Sequence, residues 1–211
     1  MKKYFLPLFL LALPLTTVAQ TPSPVKVKKP PINYIGEFRL DWSDGIIDLV
    51  APPSGKLTAT LTGSSRPISL VAQENGGEVL KKSGLKSRRR ELSGQKIVAV
   101  AAGGKGKKTR VTDAHLTRSV TVLIEQLSLD DQKLSIKVRC DDALYKAGAK
   151  LGTGRIDFSG NAHIWYYGTL DIETTMQSGW IDLGDPDDAE NKPPTLHLEK
   201  GNTIGTPGKD K

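Results

Sequence analysis

Between residues 33 and 183, hydrophobic and polar side chains alternate with a period of two in run after run. Leu134, Ile136, Val138 and Cys140 fall on one side, with Lys133, Ser135, Lys137 and Arg139 on the other. Leu57, Ala59 and Leu61 alternate with Lys56, Thr58 and Thr60, and Val120, Val122 and Ile124 with Thr121, Leu123 and Glu125. Ile156 and Phe158 flank Asp157, and Leu170 and Ile172 flank Asp171. An extended backbone sends successive side chains to opposite faces, so the pattern predicts strands that each bury one face. Residues 132–145 invite a helix assignment, but their strict alternation predicts a strand. No stretch carries an i, i+3, i+4, i+7 stripe with caps. Turn residues such as Asp44-Gly45, Gly63, Gly76-Gly77 and Gly103-Gly104 separate many of the runs. The expected fold is all-β: an antiparallel β-jellyroll or open twisted sandwich of stacked short strands, with a solenoid as the related alternative.

A weak internal repeat adds to this. Leu61-Thr62-Gly63, Leu92-Ser93-Gly94 and Phe158-Ser159-Gly160 each join an apolar residue, a hydroxyl and a glycine, and Leu116-Thr117 carries Arg118 where the glycine would stand. Repeated units of this kind bury their apolar side by stacking on neighbours. Chance is the competing explanation, since these residues are common at strand ends.

The flanks differ in character. Met1-Lys2-Lys3, an apolar run from Tyr4 to Leu15 and the small residues of Thr17-Val18-Ala19 have the three-part layout of a signal peptide, residues 1–19. Its apolar part is too short to cross a bilayer, which needs roughly 20 such residues. Residues 20–32, with Lys28-Lys29-Pro30-Pro31, read as a flexible linker, and residues 184–211 as a polar, largely disordered tail with a short strand near Thr195. The β domain spans 33–183. Export makes the periplasm the expected location, with secretion as the alternative. A formal charge of +7, two units of which leave with the leader, is too modest for a dedicated nucleic-acid binder. Cys140 is the only cysteine, so no intrachain disulfide forms and the core must hold the domain; the thiol is expected to be a small buried hydrophobe.

Candidate chemistry is sparse. Asp113 and His115 share a strand face, yet no nucleophile motif accompanies them. His163 alternates with Trp165 and Tyr167, which suggests a partly buried aromatic cluster. No metal-ligand spacing and no phosphate-cradling glycine loop are visible, and the acidic run around Asp187 lacks the pattern of a calcium loop. The expectation is a non-enzyme with no cofactor and no metal. Two basic segments, residues 81–90 and 105–110, read as exposed hairpin loops. Arg88, Arg89, Arg90, Lys107 and Lys108 are the candidate anion contacts there, and reversal of Arg88–Arg90 to glutamate is expected to leave folding intact. His163-Ile164-Trp165-Tyr166-Tyr167 is apolar on both faces, as a doubly buried strand or one lining an apolar slot would be.

Residues 139–182 resemble the OstA-like β-jellyroll family of lipopolysaccharide transport proteins. The resemblance rests on Asp142-Ala143-Leu144-Tyr145, Arg155-Ile156-Asp157-Phe158-Ser159-Gly160, Asn161-Ala162-His163-Ile164, Leu170-Asp171-Ile172-Glu173 and Gly179-Trp180-Ile181-Asp182. Leu92-Ser93-Gly94-Gln95-Lys96-Ile97 fits less well, and residues 33–49 hardly at all. The resemblance implies a twisted, open jelly roll whose two sheets form an apolar trough for acyl chains, with Ile156, Phe158, Ile164 and Tyr166 as candidate lining. It also implies lipopolysaccharide or another acylated lipid as ligand, a role in outer-membrane biogenesis, and pairing of edge strands with other β-jellyroll transport proteins or with further copies of the chain. The basic segments would meet lipid phosphates. The alternative kept open is a secreted β-sandwich that binds a protein or polysaccharide partner without lipid.

Overall fold

The computed structural model describes residues 34–50, 56–103, 109–184 and 193–199. The proposed leader, the linker, most of the tail, and Lys107 and Lys108 lie outside the described residues. The described chain is nearly all antiparallel strand: β1 (Tyr34–Ile35), β2 (Phe38–Asp41), β3 (Gly45–Val50), β4 (Lys56–Gly63), β5 (Ile68–Asn75), β6 (Leu85–Gly94), β7 (Lys96–Ala102), β8 (Arg110–Ser128), β9 (Lys133–Ala147), β10 (Gly154–Tyr167), β11 (Ile172–Asp182) and β12 (Thr195–Glu199). One short helix, α1 (Glu78–Lys82), departs from the expectation of strands alone. It is a single turn between β5 and β6, anchored by buried Leu80, too short for periodicity to register.

The all-β expectation holds, and the pairing shows how the sandwich arises. One sheet is folded along a seam into two leaves. In leaf I the order is β3, β4, β7, then residues 110–117, 142–147, 154–159 and 178–182 of the long strands, then β12. In leaf II it is β1, β2, β5, β6, then residues 121–128, 133–140, 163–167 and 172–176. Strands β8 to β11 cross the seam unbroken, so β8 pairs with β7 in leaf I and with β6 in leaf II. Earlier in the chain the crossing is a true break: Gln95 alone separates β6 from β7, and residues 64–67 separate β4 from β5.

The seam explains the internal repeat. Leu61-Thr62-Gly63 and Leu92-Ser93-Gly94 end their strands there, while Leu116-Thr117 and Phe158-Ser159-Gly160 sit where β8 and β10 bend. The apolar member of every copy is buried in the core. Each bend breaks the pairing register, as bulges do when a sheet turns a corner. Arg118, Ser119, Gly160 and Asn161 have positive φ at these bends. Backbone bonds run along the seam, from Gly63 N–H to Gln95 O at 2.9 Å and from Gln95 N–H to Arg118 O at 2.8 Å.

The inner faces of both leaves meet in one core. Phe38 of leaf II stands edge-on to Tyr145 of leaf I, with ring centroids 5.8 Å apart. Leu61, Ile97 and Leu116 from leaf I, and Leu70, Leu92, Ile124 and Ile136 from leaf II, are fully buried. Each such side chain contributes about 1.5–3 kcal/mol of burial free energy. Cys140 is among the buried residues, as expected, and is a free thiol.

Candidate ligand cavity and its interior charges

Opposite the seam, at the outer ends of the two leaves, the sandwich holds a cavity of about 530 Å³. Leu85, Leu134 and Tyr166 line it from leaf II, and Leu183 and Pro193 from the outer end of leaf I. Arg88, Gln126 and Lys133 add polar groups. A cavity of this size, mixed in character, lies in the range that holds small ligands.

The sequence-derived candidates divide around it. Tyr166 lines the cavity, but Ile156, Phe158 and Ile164 are sealed in the core. All four lie on one strand, and the three that sit deeper toward the seam or in leaf I have both leaves closed over them. Leu134 and Leu183 line the cavity instead, and both follow from the alternation of β9 and β11 once those strands are extended to their outer ends.

The basic segment differs more sharply from expectation. Residues 85–94 form strand β6 rather than a loop, and only Lys81 and Lys82 stay on the helical turn. On β6, Arg88 and Arg90 are in phase with Leu92, so they point between the leaves, 4% and 2% exposed. Arg89 faces outward and pairs with Glu91, Nη2 to Oε2 at 2.6 Å. One nitrogen of Arg88, Nη2, donates to both carboxylate oxygens of Glu74 at 2.9 Å. The guanidinium also packs on Gly152, where a Cβ would stand 2.5 Å from Arg88 Cζ.

Around these two arginines the leaves are clasped. Val111 N–H of leaf I donates to Glu37 Oε2 of leaf II at 2.9 Å. Arg110 Nη1 donates to Ala149 O at 3.0 Å, and Nη2 to Lys150 O, which holds the 148–153 loop over the clasp. Arg90 has Phe38 5.4 Å from its Cζ and the nearest oxygen of Glu74 at 3.8 Å. Burial pushes its guanidinium below the ordinary arginine range, with Tyr145 opposing. Burial likewise raises the Tyr145 hydroxyl above the ordinary phenol range, against the pull of Arg90.

On the outer faces every histidine has a carboxylate partner. His115 Nε2 lies 2.7 Å from Asp142 Oδ2, so its neighbour is across the strands rather than Asp113. His163 Nε2 lies 2.7 Å from Glu173 Oε1, and His197 Nε2 lies 3.1 Å from Asp182 Oδ2. Of the aromatic cluster expected from His163, Trp165 and Tyr167, the first two come together: the His163 ring stacks on Trp165 at 4.0 Å, with Lys137 and Arg139 within 5.5 and 5.4 Å of the indole. Tyr167 stands exposed beyond it. Trp180 is engaged in the same way, by His197 at 4.7 Å and Arg155 at 4.4 Å. Among the described residues no group of three or more His, Cys, Asp or Glu is arranged to hold a metal ion.

No family model, curated protein or solved structure matches the chain. The fold and the site are those of an open antiparallel β-sandwich, folded from one sheet, with a cavity at the margin opposite the seam and charged residues enclosed beside it.

Proposed function

We propose that this chain is a non-enzymatic lipid-binding β-jellyroll protein of the periplasm, which carries or binds an acylated lipid such as lipopolysaccharide between its two leaves. The observation that carries this reading is the cavity at the margin opposite the seam. Its apolar walls, Leu85, Leu134, Tyr166 and Leu183, suit an acyl chain, and Arg88 and Lys133 suit an anionic head. The resemblance of residues 139–182 to the OstA-like family supports the same reading. So do sheet edges that carry no further strand among the described residues, such as β3, with Leu49 and Val50 exposed, and residues 172–176 of β11, beyond the reach of β12. Edges of this kind accept a further strand from another β-jellyroll protein or a second copy.

The polysaccharide alternative would use an aromatic platform. Trp165 and Trp180 are the natural candidates, and both rings are stacked on a histidine and approached by cations, which favours the cavity. The test is mass spectrometry of organic extracts from the purified, processed protein. Acyl chains in stoichiometric amount are expected. Protein that carries none, and takes up none from lipid vesicles, would sink the proposal. A paired change of Leu49 and Val50 to lysine should reduce any concentration-dependent growth in size seen by light scattering, because lysine on an edge strand blocks strand addition.

A further inference from the structure

Strand β6 sends two guanidiniums into the interior where its own alternation calls for leucine-like residues. A guanidinium offers five donors, no acceptor, and keeps its proton. Glu74 satisfies part of Arg88. Yet Arg88 Nε and all three nitrogens of Arg90 are buried without a well-formed hydrogen bond, as is Arg110 Nε, and the Tyr145 hydroxyl has the Arg90 guanidinium as its neighbour without a well-formed bond either. One acceptor in the same neighbourhood is unmatched, Glu37 Oε1. Donors therefore outnumber acceptors between the leaves. Buried polar groups are nearly always paired, and a fold with apolar residues at positions 88 and 90 would avoid the penalty altogether. The imbalance is of one sign, and it asks for an anion with several oxygens. Of these groups Arg88 is part of the cavity wall, while Arg90 and Tyr145 do not line it and are enclosed beside Arg88.

We infer that Arg88, Arg90 and Tyr145 form an internal oxyanion site, which takes a phosphate monoester group that enters head-first through the cavity. The inference rests on the cavity being a ligand site, and it sets the ligand's orientation: the charged head lies innermost and the hydrocarbon tail runs outward past Leu134 and Tyr166. Three phosphate oxygens then accept from the two guanidiniums and the phenol, and the unmatched donors gain partners. Free phosphate and a lipid phosphate share this chemistry.

Isothermal titration of the full processed chain separates the sources, with inorganic phosphate, dodecyl phosphate and neutral dodecyl maltoside as probes, all submicellar. Dodecyl phosphate is expected to bind more tightly than dodecyl maltoside. Arg90→Met is expected to weaken dodecyl phosphate roughly tenfold or more while maltoside binding is unchanged. Arg90→Met should also fold about as stably as the parent, because Glu74 keeps Arg88 as its partner and the buried donors that find no acceptor are removed. Should it fail to fold, Tyr145→Phe, which deletes only the hydroxyl, is expected to weaken dodecyl phosphate several-fold. Equal binding of the two amphiphiles, or unchanged dodecyl phosphate affinity in the variants, overturns the internal site and leaves the lipid reading standing. Binding of inorganic phosphate alone does the reverse, and binding of none of the three overturns both.

Discussion

Glu37 Oε2 accepts the Val111 N–H at 2.9 Å, and this bond ties the first hairpin of leaf II to the start of β8 in leaf I. The turn approaches so closely that a Cβ on Gly36 would stand 2.6 Å from Val111 N. Glu37→Ala leaves that partly buried N–H without an acceptor, which is expected to lower stability by about 1–3 kcal/mol. Glu37→Gln keeps an acceptor oxygen and should cost less. Urea unfolding of both variants checks this, and coincident midpoints for Glu37→Ala and the parent would remove the clasp from the account.

Gly152 and Gly76 both have positive φ, at +83° and +66°, but their surroundings differ. A methyl group at Gly152 would collide with the Arg88 guanidinium, whereas nothing lies within 4 Å of the same position at Gly76. Gly76→Ala is expected to cost only the backbone strain, about 1–2 kcal/mol. Gly152→Ala should cost more, because it also dislodges Arg88 from Glu74. Equal losses in thermal unfolding would show that the 148–153 loop does not rest on Arg88.

Reversing Arg88, Arg89 and Arg90 to glutamate is now expected to unfold the domain. Two of the new carboxylates would be enclosed beside Glu74 and Glu37, and an uncompensated buried charge is strongly destabilising, by about 3–5 kcal/mol. Arg89→Glu alone, on the outer face, should change stability by about 0.5 kcal/mol or less. Circular dichroism of the single and triple variants distinguishes the two, and a folded triple variant would contradict the burial of β6.

The strands were legible because each core residue repeats at a spacing that only extended backbone explains, as with Leu134 to Cys140. The seam was half legible: the copies ending at Gly63, Gly94 and Gly160 mark it, but a local pattern carries no sign of whether a strand stops there, as β6 does, or bends and continues, as β10 does. The interior charges were misread because three consecutive arginines look like a solvated loop. Extending the alternation backward from Leu92 through Arg90 to Arg88 would have put both on the core face. Glu74 follows in the same way from Leu70 and Ala72 on the neighbouring strand. The cavity itself depends on Leu183 and Pro193 meeting residues as distant in sequence as Leu85 and Arg88, a juxtaposition that period-two spacing does not encode.

The Cys140 thiol is buried and donates weakly to Asp142 O at 3.2 Å, and burial raises its pKa to about 12. The folded value lies above the ordinary thiol value, so the protonated form favours folding. That contribution is complete below the ordinary range and is lost as pH climbs from about 9 towards about 12. The parent is therefore expected to lose stability over this window more steeply than Cys140→Ala, in urea titrations repeated across alkaline pH. Below it, the thiol should resist a thiol-specific reagent until denaturant is added. Rapid labelling of the native protein at neutral pH would place Cys140 outside the core.

Ile164 and Tyr166 are two residues apart on one face of β10, yet one is sealed and the other borders the cavity. An aspartate at 164 would meet only apolar core, with no partner for its charge. Ile164→Asp is therefore expected to abolish folding, a loss beyond about 4 kcal/mol. Tyr166→Asp places the same charge at a partly open wall, where water reaches it, and should cost about 1–2 kcal/mol. It should nonetheless lose uptake of an acyl-chain probe, because the carboxylate must be desolvated by the bound hydrocarbon. Far-ultraviolet circular dichroism reads the first effect and fluorescence of a bound acyl probe the second. If Tyr166→Asp folded and bound the probe as the parent does, the hydrocarbon would have to lie somewhere other than the margin opposite the seam.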